Sequence, residues 1–282
     1  MENLIIHGGV STFQDKSTLY DEINDALCNI LEESFVSLKD ISSRERVINA
    51  IKMLENNPLF NAGTGSKLQN DGEIRMSAAL MDGTKNIFSG VVNIQDVKNP
   101  IEVASRLSKE DHTVLCGAEA TDFCRKNGMQ KYDPITPKRL SDFQKKKRGS
   151  HGTVGAVAID RKGNIFSGTS TGGIGFETPG RVSDSPTVAG TYASKKSGVS
   201  CTGIGEQITQ QAVAAKIVTR VDDGMDLRGA VEKTIIESNE FSYSFGIISL
   251  DSKGNFEVGK TEEIDEIFYA FYNGKRIISF LK

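Results

Sequence analysis

The stretch HGTVGAVAIDRKGNIFSGTSTGG, residues 151–173, decides how this chain folds and lies about midway along its 282 residues. Two segments rich in β-forming residues, TVGAVAI and IFSGTST, flank the turn sequence DRKGN, in which Gly163 can adopt the positive φ of a tight turn. The pattern predicts an antiparallel hairpin in which the numbers of paired residues sum to about 324. Thr153 then faces Thr171, with the two side chains roughly 5 Å apart.

The hairpin alone has two interpretations. Threonine is a common strand residue, so Thr153 and Thr171 can serve packing alone. The small residues Gly152, Gly155 and Ala156, however, leave room for other backbone to approach closely. This arrangement favours a threonine hydroxyl that a substrate can reach.

The composition places the chain among globular proteins, with 38% hydrophobic and 25% charged residues. A net charge of −3 gives no electrostatic reason to bind nucleic acid or an anionic membrane, so a small molecule is the expected partner. The four cysteines show no zinc-binding spacing and lie in apolar segments, which indicates buried free thiols in a reducing compartment. Because the chain has neither a basic N-terminal region nor an apolar run of about 18 residues, we expect a cytoplasmic protein.

The rest of the chain alternates helices with paired strands. Helices are predicted over residues 17–35, 42–56, 118–127 and 226–240, from Pro100 onward, and after the glycines of TGIGE. Ser42 and Glu45 form a capping-box pattern at the start of the second helix, and Asn99 is the expected cap of the helix that begins at Pro100. Strands are predicted in NLIIHGG, where the glycines end the strand, and in EIRMSAALMDG, IFSGVVNI, HTVLCG, ASKKSGVSCTG and two C-terminal hairpins. This order favours a layered α+β fold over a parallel βαβ sheet. The polar, basic tract of residues 129–152 is expected to be a solvated, mobile linker between two halves.

Several familiar chemistries are excluded by their missing motifs. The three histidines have no metal-binding spacing, no G-x-S-x-G is present, and GTGSK and GIGEQI lack the phosphate-binding and dinucleotide patterns. A threonine hydroxyl needs a base, and without a suitable histidine the remaining base is an α-amine, with a pKa of about 7.7–8.0. Thr153 gains such an amine only if the chain is cut after Gly152.

Five segments carry a family resemblance: IHGG, PLFNAGTGS, residues 151–173, PGRVSDSP and SCTGIGE. In this order they resemble the plant-type asparaginase and isoaspartyl peptidase family (peptidase family T2) of N-terminal-nucleophile hydrolases. The resemblance implies an α+β fold built as a four-layer αββα sandwich. It implies a single domain of residues 1–282 that cleaves itself into an α chain, 1–152, and a β chain, 153–282. A dimer of such heterodimers is implied as well.

The implied reaction is hydrolysis of the side-chain amide of L-asparagine and of β-aspartyl dipeptides through an acyl-threonine ester. Thr153 is implied to cleave the bond after Gly152 and then to act as the nucleophile, with Thr171 orienting its hydroxyl. The implied catalytic residues are Thr153, Thr171, Thr202 and Gly203, of which the last two stabilise the oxyanion. The implied substrate-binding residues are Arg181, Asp184, Thr202, Gly203 and Gly205.

The residue types themselves also suit a substrate site. Arginine offers a fork of donors to a carboxylate and aspartate accepts from an ammonium, so Arg181 and Asp184 form a candidate clamp for an amino acid. An ordinary salt bridge is the alternative interpretation. The resemblance implies no cofactor for catalysis, but it implies a structural sodium ion and a supporting role for Asn61. The implied ion ligands are the carbonyls of Leu54, Glu55, Asn57, Phe60, Ala62 and Thr64.

The chain departs from the family pattern at three places. Ser183 replaces a usual glycine and would be strained if its φ were positive. Glu177 stands near the clamp in a segment that usually carries asparagine and lysine, and the C-terminal EIDEIFYAFYNG is atypical. Two alternatives therefore remain: a glycosylasparaginase, or a non-cleaving homologue that binds an amino acid.

Overall fold

The computed structural model describes residues 2–13, 19–36, 41–146 and 152–281. Residues 17–18 of the predicted first helix, and residues 147–151 of the predicted linker, lie outside the described residues. Within the described ranges the chain forms twelve strands and eight helices. None of these helices is both long enough and apolar enough to cross a lipid bilayer.

The strands are β1 (Asn3–Thr12), β2 (Met76–Asp82), β3 (Ile87–Ile94), β4 (Val114–Cys116), β5 (Val154–Ile159), β6 (Ile165–Thr171), β7 (Thr191–Ala193), β8 (Ser197–Gly203), β9 (Phe245–Asp251), β10 (Phe256–Lys260), β11 (Ile264–Tyr272) and β12 (Ile277–Ser279). The helices are α1 (Tyr20–Val36), α2 (Ser43–Asn56), α3 (Pro100–Leu107), α4 (Gly117–Lys126), α5 (Pro137–Gln144), α6 (Gly205–Gln211), α7 (Val213–Asp222) and α8 (Leu227–Asn239).

The described strands form two sheets. The larger has the order β12-β11-β1-β5-β6-β2-β3-β4 and the smaller the order β10-β9-β8-β7. All pairs are antiparallel except β3 with β4. The expected α+β class is therefore confirmed. The predicted hairpin forms β5 and β6 in the middle of the larger sheet, where neighbours on both sides fix its position.

Hydrophobic clusters cover both faces of β5. Ala156 packs with Leu54 and other residues of α1, α2 and α3 on one face of the larger sheet. Val157 points the opposite way and packs with Ile248 of the smaller sheet. A third cluster joins the smaller sheet to α7 and α8. Thr153, which immediately precedes β5, is thus attached to a strand that is buried on both faces.

Local signals predicted some helix and strand ends and missed others. The capping box of Ser42 and Glu45 is confirmed at the start of α2. The prediction that glycines end the first strand is wrong, because β1 continues through Gly8 and Gly9, where its pairing with β11 shifts at a bulge. The single helix predicted after TGIGE is divided at Ala212, whose φ is +49°.

Two further expectations need correction at single elements. Pro100 begins α3 as predicted, but the side chain of Asn99 makes no capping hydrogen bond and its Nδ2 donates to Asn56 Oδ1 at 3.2 Å. The single strand predicted in ASKKSGVSCTG is instead the hairpin of β7 and β8, whose turn contains residues 194–196.

The predicted linker of residues 129–152 contains a helix where it is described. Thr136 caps α5 by accepting a hydrogen bond from the Arg139 backbone N–H, and Pro137 is its first residue. Arg139 Nε donates to the Gly65 carbonyl at 2.5 Å, and the Phe143 ring stacks on Phe176 at 5.2 Å. The segment up to residue 146 therefore packs against the folded body, because a capping signal and an aromatic contact outweigh its polar composition.

Candidate active site

The hairpin register brings two threonine hydroxyls together. Val154 pairs with Ser170 and Ile159 with Ile165, so the same register places Thr153 opposite Thr171. Their Oγ1 atoms lie 3.0 Å apart, and both residues are buried. The Gly173 backbone N–H donates to Thr171 Oγ1 at 3.1 Å. The register prediction is confirmed, and either threonine hydroxyl can donate to the other.

Asn61 holds the peptide group that precedes Thr153. Its backbone N–H donates to the Gly152 carbonyl at 3.1 Å, and its own carbonyl accepts from Gly172 at 2.8 Å. Its side chain donates to the Gly173 carbonyl and accepts from the Lys67 backbone N–H. A Cβ at Gly152 would lie 2.8 Å from the Asn61 Cβ, so there is no space for a side chain larger than that of glycine at this position. The carbonyl that Thr153 would have to attack is therefore fixed in place.

Thr202 lies on β8, the strand of the smaller sheet that packs against β5. A Cβ at Gly198 would contact Val157, and a Cβ at Gly155 would contact the side chain of Ser200. If this two-residue spacing continues, we expect Thr202 to face Thr153. Thr202 Oγ1 is buried and has no hydrogen-bond partner among the described residues. A reacting group bound beside Thr153 would supply that partner.

Gly203 ends β8 in a conformation that suits glycine. Its φ is +138°, and a Cβ there would lie 2.5 Å from the Cα of Phe245. The chain then reaches Gly205, where a Cβ would lie 2.8 Å from Asp184 Oδ1 and 2.9 Å from Arg181 Nη2. The predicted oxyanion residues and the predicted clamp thus adjoin each other.

Asp184 is a buried carboxyl without a full set of partners. Its Oδ2 has no hydrogen-bond partner among the described residues. Burial raises the pKa of Asp184 to about 7, although the backbone N–H groups at residues 184–185 and the charge of Arg181 act in the opposite direction. An ammonium group bound here would satisfy Oδ2 and favour the ionised carboxylate.

Arg181 contacts two carboxylates. Its Nε and Nη2 donate to the two oxygens of Glu206 at 2.6 and 2.9 Å, and its Nη1 donates to Glu177 Oε2 at 2.8 Å. Burial alone would lower the pKa of Arg181, but these hydrogen bonds and charges raise it. The sequence pointed to Glu177, but Glu206 was missed because no local pattern relates it to a residue 25 positions away.

Ser183 is not strained. Ser183 is not among the non-glycine residues with positive φ, so its backbone conformation is one that any residue can adopt. Its side chain is buried, and its Oγ has no partner among the described residues.

His7 lies on β1, directly beside Gly155 of β5, and no pattern in the sequence assigns it a role. Its Nε2 lies 2.9 Å from Ser200 Oγ, and burial lowers its pKa to about 3. A histidine with so low a pKa is a poor base at neutral pH. This result agrees with an α-amine as the base for Thr153.

In the loop predicted to hold a sodium ion, the carbonyls of Leu54, Glu55 and Asn57 accept backbone hydrogen bonds from residues of the same segment. A Cβ at Gly63 would lie 2.4 Å from the Glu55 carbonyl oxygen, and a Cβ at Gly65 would lie 3.0 Å from that of Phe60. The glycines therefore let this segment fold closely on itself, and carbonyl oxygens are ligands that hard cations accept. No cluster of three or more His, Cys, Asp or Glu side chains that could hold a metal occurs among the described residues.

The chain is similar in sequence to known proteins along most of its length. The sequence profile of the family described as Asparaginase matches residues 1–151 and 144–281. An isoaspartyl peptidase/L-asparaginase of Synechocystis sp. is 40% identical, over 97% of this chain and 88% of that protein. A plant-type L-asparaginase of Thermococcus kodakarensis is 37% identical, over 96% of each chain. The isoaspartyl peptidase of Escherichia coli is 33% identical, over 89% of this chain and 87% of its own.

Proposed function

Because the chain belongs to the asparaginase family, we propose that it is a hydrolase of the side-chain amide of L-asparagine and of the β-aspartyl bond of isoaspartyl dipeptides. The names of the relatives support both substrate classes. The observation that carries the proposal is the pair of hydroxyls of Thr153 and Thr171, 3.0 Å apart at the end of a central hairpin.

The enzyme matures by cutting itself once. Thr153 Oγ1 attacks the Gly152 carbonyl carbon, the peptide C–N bond breaks, and the acyl group moves from nitrogen to oxygen. Water then hydrolyses this ester, which leaves a carboxylate on Gly152 and a free α-amine on Thr153. The hydrogen bond from Asn61 to the Gly152 carbonyl supports this step because it orients and polarises the group under attack. The products are residues 1–152 and 153–282 of one domain.

The new α-amine then serves as the base in turnover. It takes the proton of Thr153 Oγ1 as this oxygen attacks the side-chain carbonyl carbon of the substrate, while Thr171 orients the nucleophile. The Thr202 hydroxyl and the Gly203 backbone N–H stabilise the oxyanion. Ammonia or an amino acid leaves with the proton, and water hydrolyses the acyl ester to aspartate.

The clamp binds the common part of both substrates. Arg181 binds the α-carboxylate, Asp184 binds the α-ammonium, and Gly205 leaves space between them. The unpartnered Oδ2 of Asp184 supports this assignment, since a bound ammonium would supply the missing donor.

Four further properties complete the proposal. The fold is a four-layer αββα sandwich of the N-terminal-nucleophile type, which is supported by helices packed on both sheets. The carbonyl loop of residues 54–64 binds a structural sodium ion, and catalysis needs no cofactor. The mature protein is a dimer of heterodimers. It is cytoplasmic, in keeping with its four free cysteines. The expected burial of these thiols is correct for Cys124 and Cys201 but wrong for Cys116, which is exposed.

Turnover by the matured protein tests the proposed activity. We expect release of ammonia from L-asparagine and of leucine from β-aspartyl-leucine. A preference for a glycosylasparagine over both compounds would identify a glycosylasparaginase instead. An uncut protein that is stabilised by aspartate but hydrolyses none of the three compounds would be a binding homologue, and the proposal would be wrong.

A further inference from the structure

We propose that Glu177 is a specificity-determining residue, whose buried carboxylate competes with the substrate α-carboxylate for Arg181 and shifts recognition towards the α-ammonium. The inference rests on the proposed function of the site. Glu177 is not among the residues to which a catalytic or substrate-binding role is assigned above.

Glu177 is held firmly at the site. Its side chain is 4% exposed. Its Oε2 accepts from Arg181 Nη1 at 2.8 Å and from the Ile174 backbone N–H at 2.9 Å. Its Oε1 accepts from Gln69 Nε2 at 2.8 Å, and Gln69 is itself bound by Arg75 at 2.6 Å. Because both of its oxygens accept hydrogen bonds, we expect the Glu177 carboxylate to stay bound to Arg181 when a substrate binds.

Arg181 has limited capacity for a further anion. A guanidinium has five N–H donors. Glu177 and Glu206 take three of them, so two remain for a substrate. Among these three side chains, one positive charge faces two carboxylates, and Arg75, a further cation on the Glu177 side, is itself paired with Asp71 at 2.9 Å. We therefore expect Arg181 to attract a substrate carboxylate less strongly than an arginine without such partners.

Burial distinguishes the two glutamates. The Glu206 side chain is 51% exposed, whereas that of Glu177 is 4% exposed. Water and salt screen the exposed carboxylate but screen the buried one much less. Glu177 also lies against the turn that follows Thr171, because a Cβ at Gly173 would be 2.2 Å from its Oε1. Its charge thus acts between the clamp and the catalytic threonines.

The experiment compares Glu177→Gln with the natural protein on two substrates. L-asparagine has both charged groups, whereas β-alaninamide keeps the ammonium and the amide but lacks the α-carboxylate. We expect the ratio of kcat/KM for L-asparagine over β-alaninamide to rise about tenfold in the variant, mainly through a lower KM for L-asparagine. An unchanged ratio, or an equal loss of kcat on both substrates, would show that Glu177 has only a structural role.

The matched control is Glu206→Gln, which removes a carboxylate from the same guanidinium at an exposed position. We expect it to change the ratio several times less than Glu177→Gln does. Equal changes would overturn the argument from burial. The intact mass and melting temperature of each variant establish that it has matured and folded.

A measurement on the natural protein keeps the inference testable if the variant does not fold. Calorimetry gives the affinities for L-aspartate and for β-alanine, which lacks the α-carboxylate. We expect them to differ by no more than about tenfold, and a larger preference for L-aspartate would contradict the inference. Failure of the natural protein to hydrolyse L-asparagine or β-aspartyl-leucine would overturn the proposed function, while this binding comparison would still test Glu177.

Discussion

The β5–β6 hairpin and the loop of residues 173–190 both carry site residues, but they are held in different ways. Continuous ladders of backbone hydrogen bonds to neighbours on both sides fix the hairpin in the larger sheet. The loop contains no regular element; isolated backbone hydrogen bonds fix it at a few points, and Arg181 forms ion pairs with Glu177 inside the loop and with Glu206 on α6. The backbone of the sheet thus sets the position of the proposed nucleophile, whereas side-chain ion pairs set the position of Arg181 in the proposed clamp. Changes in the hairpin should therefore alter kcat, and changes in the loop should alter KM.

The largest effect is expected from Thr171→Val, which keeps the shape of the side chain but removes its hydroxyl. Thr153 Oγ1 loses its partner at 3.0 Å, so we expect kcat to fall by about 10²–10³-fold with little change in KM. Steady-state kinetics on matured protein measures this effect. Thr171→Ser is the control and should keep most of the activity. A Thr171→Val variant with nearly the natural kcat would show that the Thr171 hydroxyl does not contribute to catalysis.

A smaller effect is expected in the loop, from the titration of Asp184. Burial raises its pKa to about 7, so acidification below pH 7 neutralises the carboxylate that would bind an ammonium. Competitive inhibition by L-aspartate should therefore weaken severalfold between pH 8 and pH 6.5. Succinate lacks the ammonium, and its inhibition should change much less.

Asp184→Asn provides the control for this pH dependence. The variant should bind L-aspartate more weakly than the natural protein at pH 8. Inhibition by L-aspartate and inhibition by succinate should then depend on pH in the same way. Identical pH profiles for L-aspartate and succinate in the natural protein would contradict the assignment of Asp184 to the ammonium.

The smallest effect is expected beneath the hairpin, from Glu55→Gln in an uncleaved Thr153→Ala background. Glu55 Oε1 accepts from Ser170 Oγ at 2.7 Å and from the Ile101 backbone N–H at 3.0 Å. Burial raises its pKa from 4.5 to about 8. Between these values the unfolded chain binds fewer protons than the folded chain, so the free energy of unfolding falls as pH rises.

Glutamine accepts the same two hydrogen bonds and does not ionise. The melting temperature of the parent should therefore fall between pH 5.5 and pH 8, and that of the Glu55→Gln variant should fall less. The difference between the two falls should be several degrees. Parallel curves from thermal unfolding would show that Glu55 is not a buried acid whose ionisation destabilises the fold.

The sequence predicts the hairpin better than the loop because their determinants lie at different distances along the chain. The register of Thr153 and Thr171 follows from one turn and two short apolar segments, all within residues 151–173. The contact of Arg181 with Glu206 depends on how α6 packs beside the loop, and no local pattern encodes it. The helix α5 is a third case. Its start signal, Thr136–Pro137, is present in the sequence, but the polar composition of residues 129–152 favours the prediction of a linker over that of a helix.

The most direct test of the account is the intact mass of the purified protein beside that of its Thr153→Ala variant. If Thr153 is the nucleophile that cuts the chain, the natural protein gives two fragments, residues 1–152 and 153–282, and the variant remains one chain. A natural protein that stays whole after prolonged incubation, or a Thr153→Ala variant cut at the same bond, would contradict the central claim.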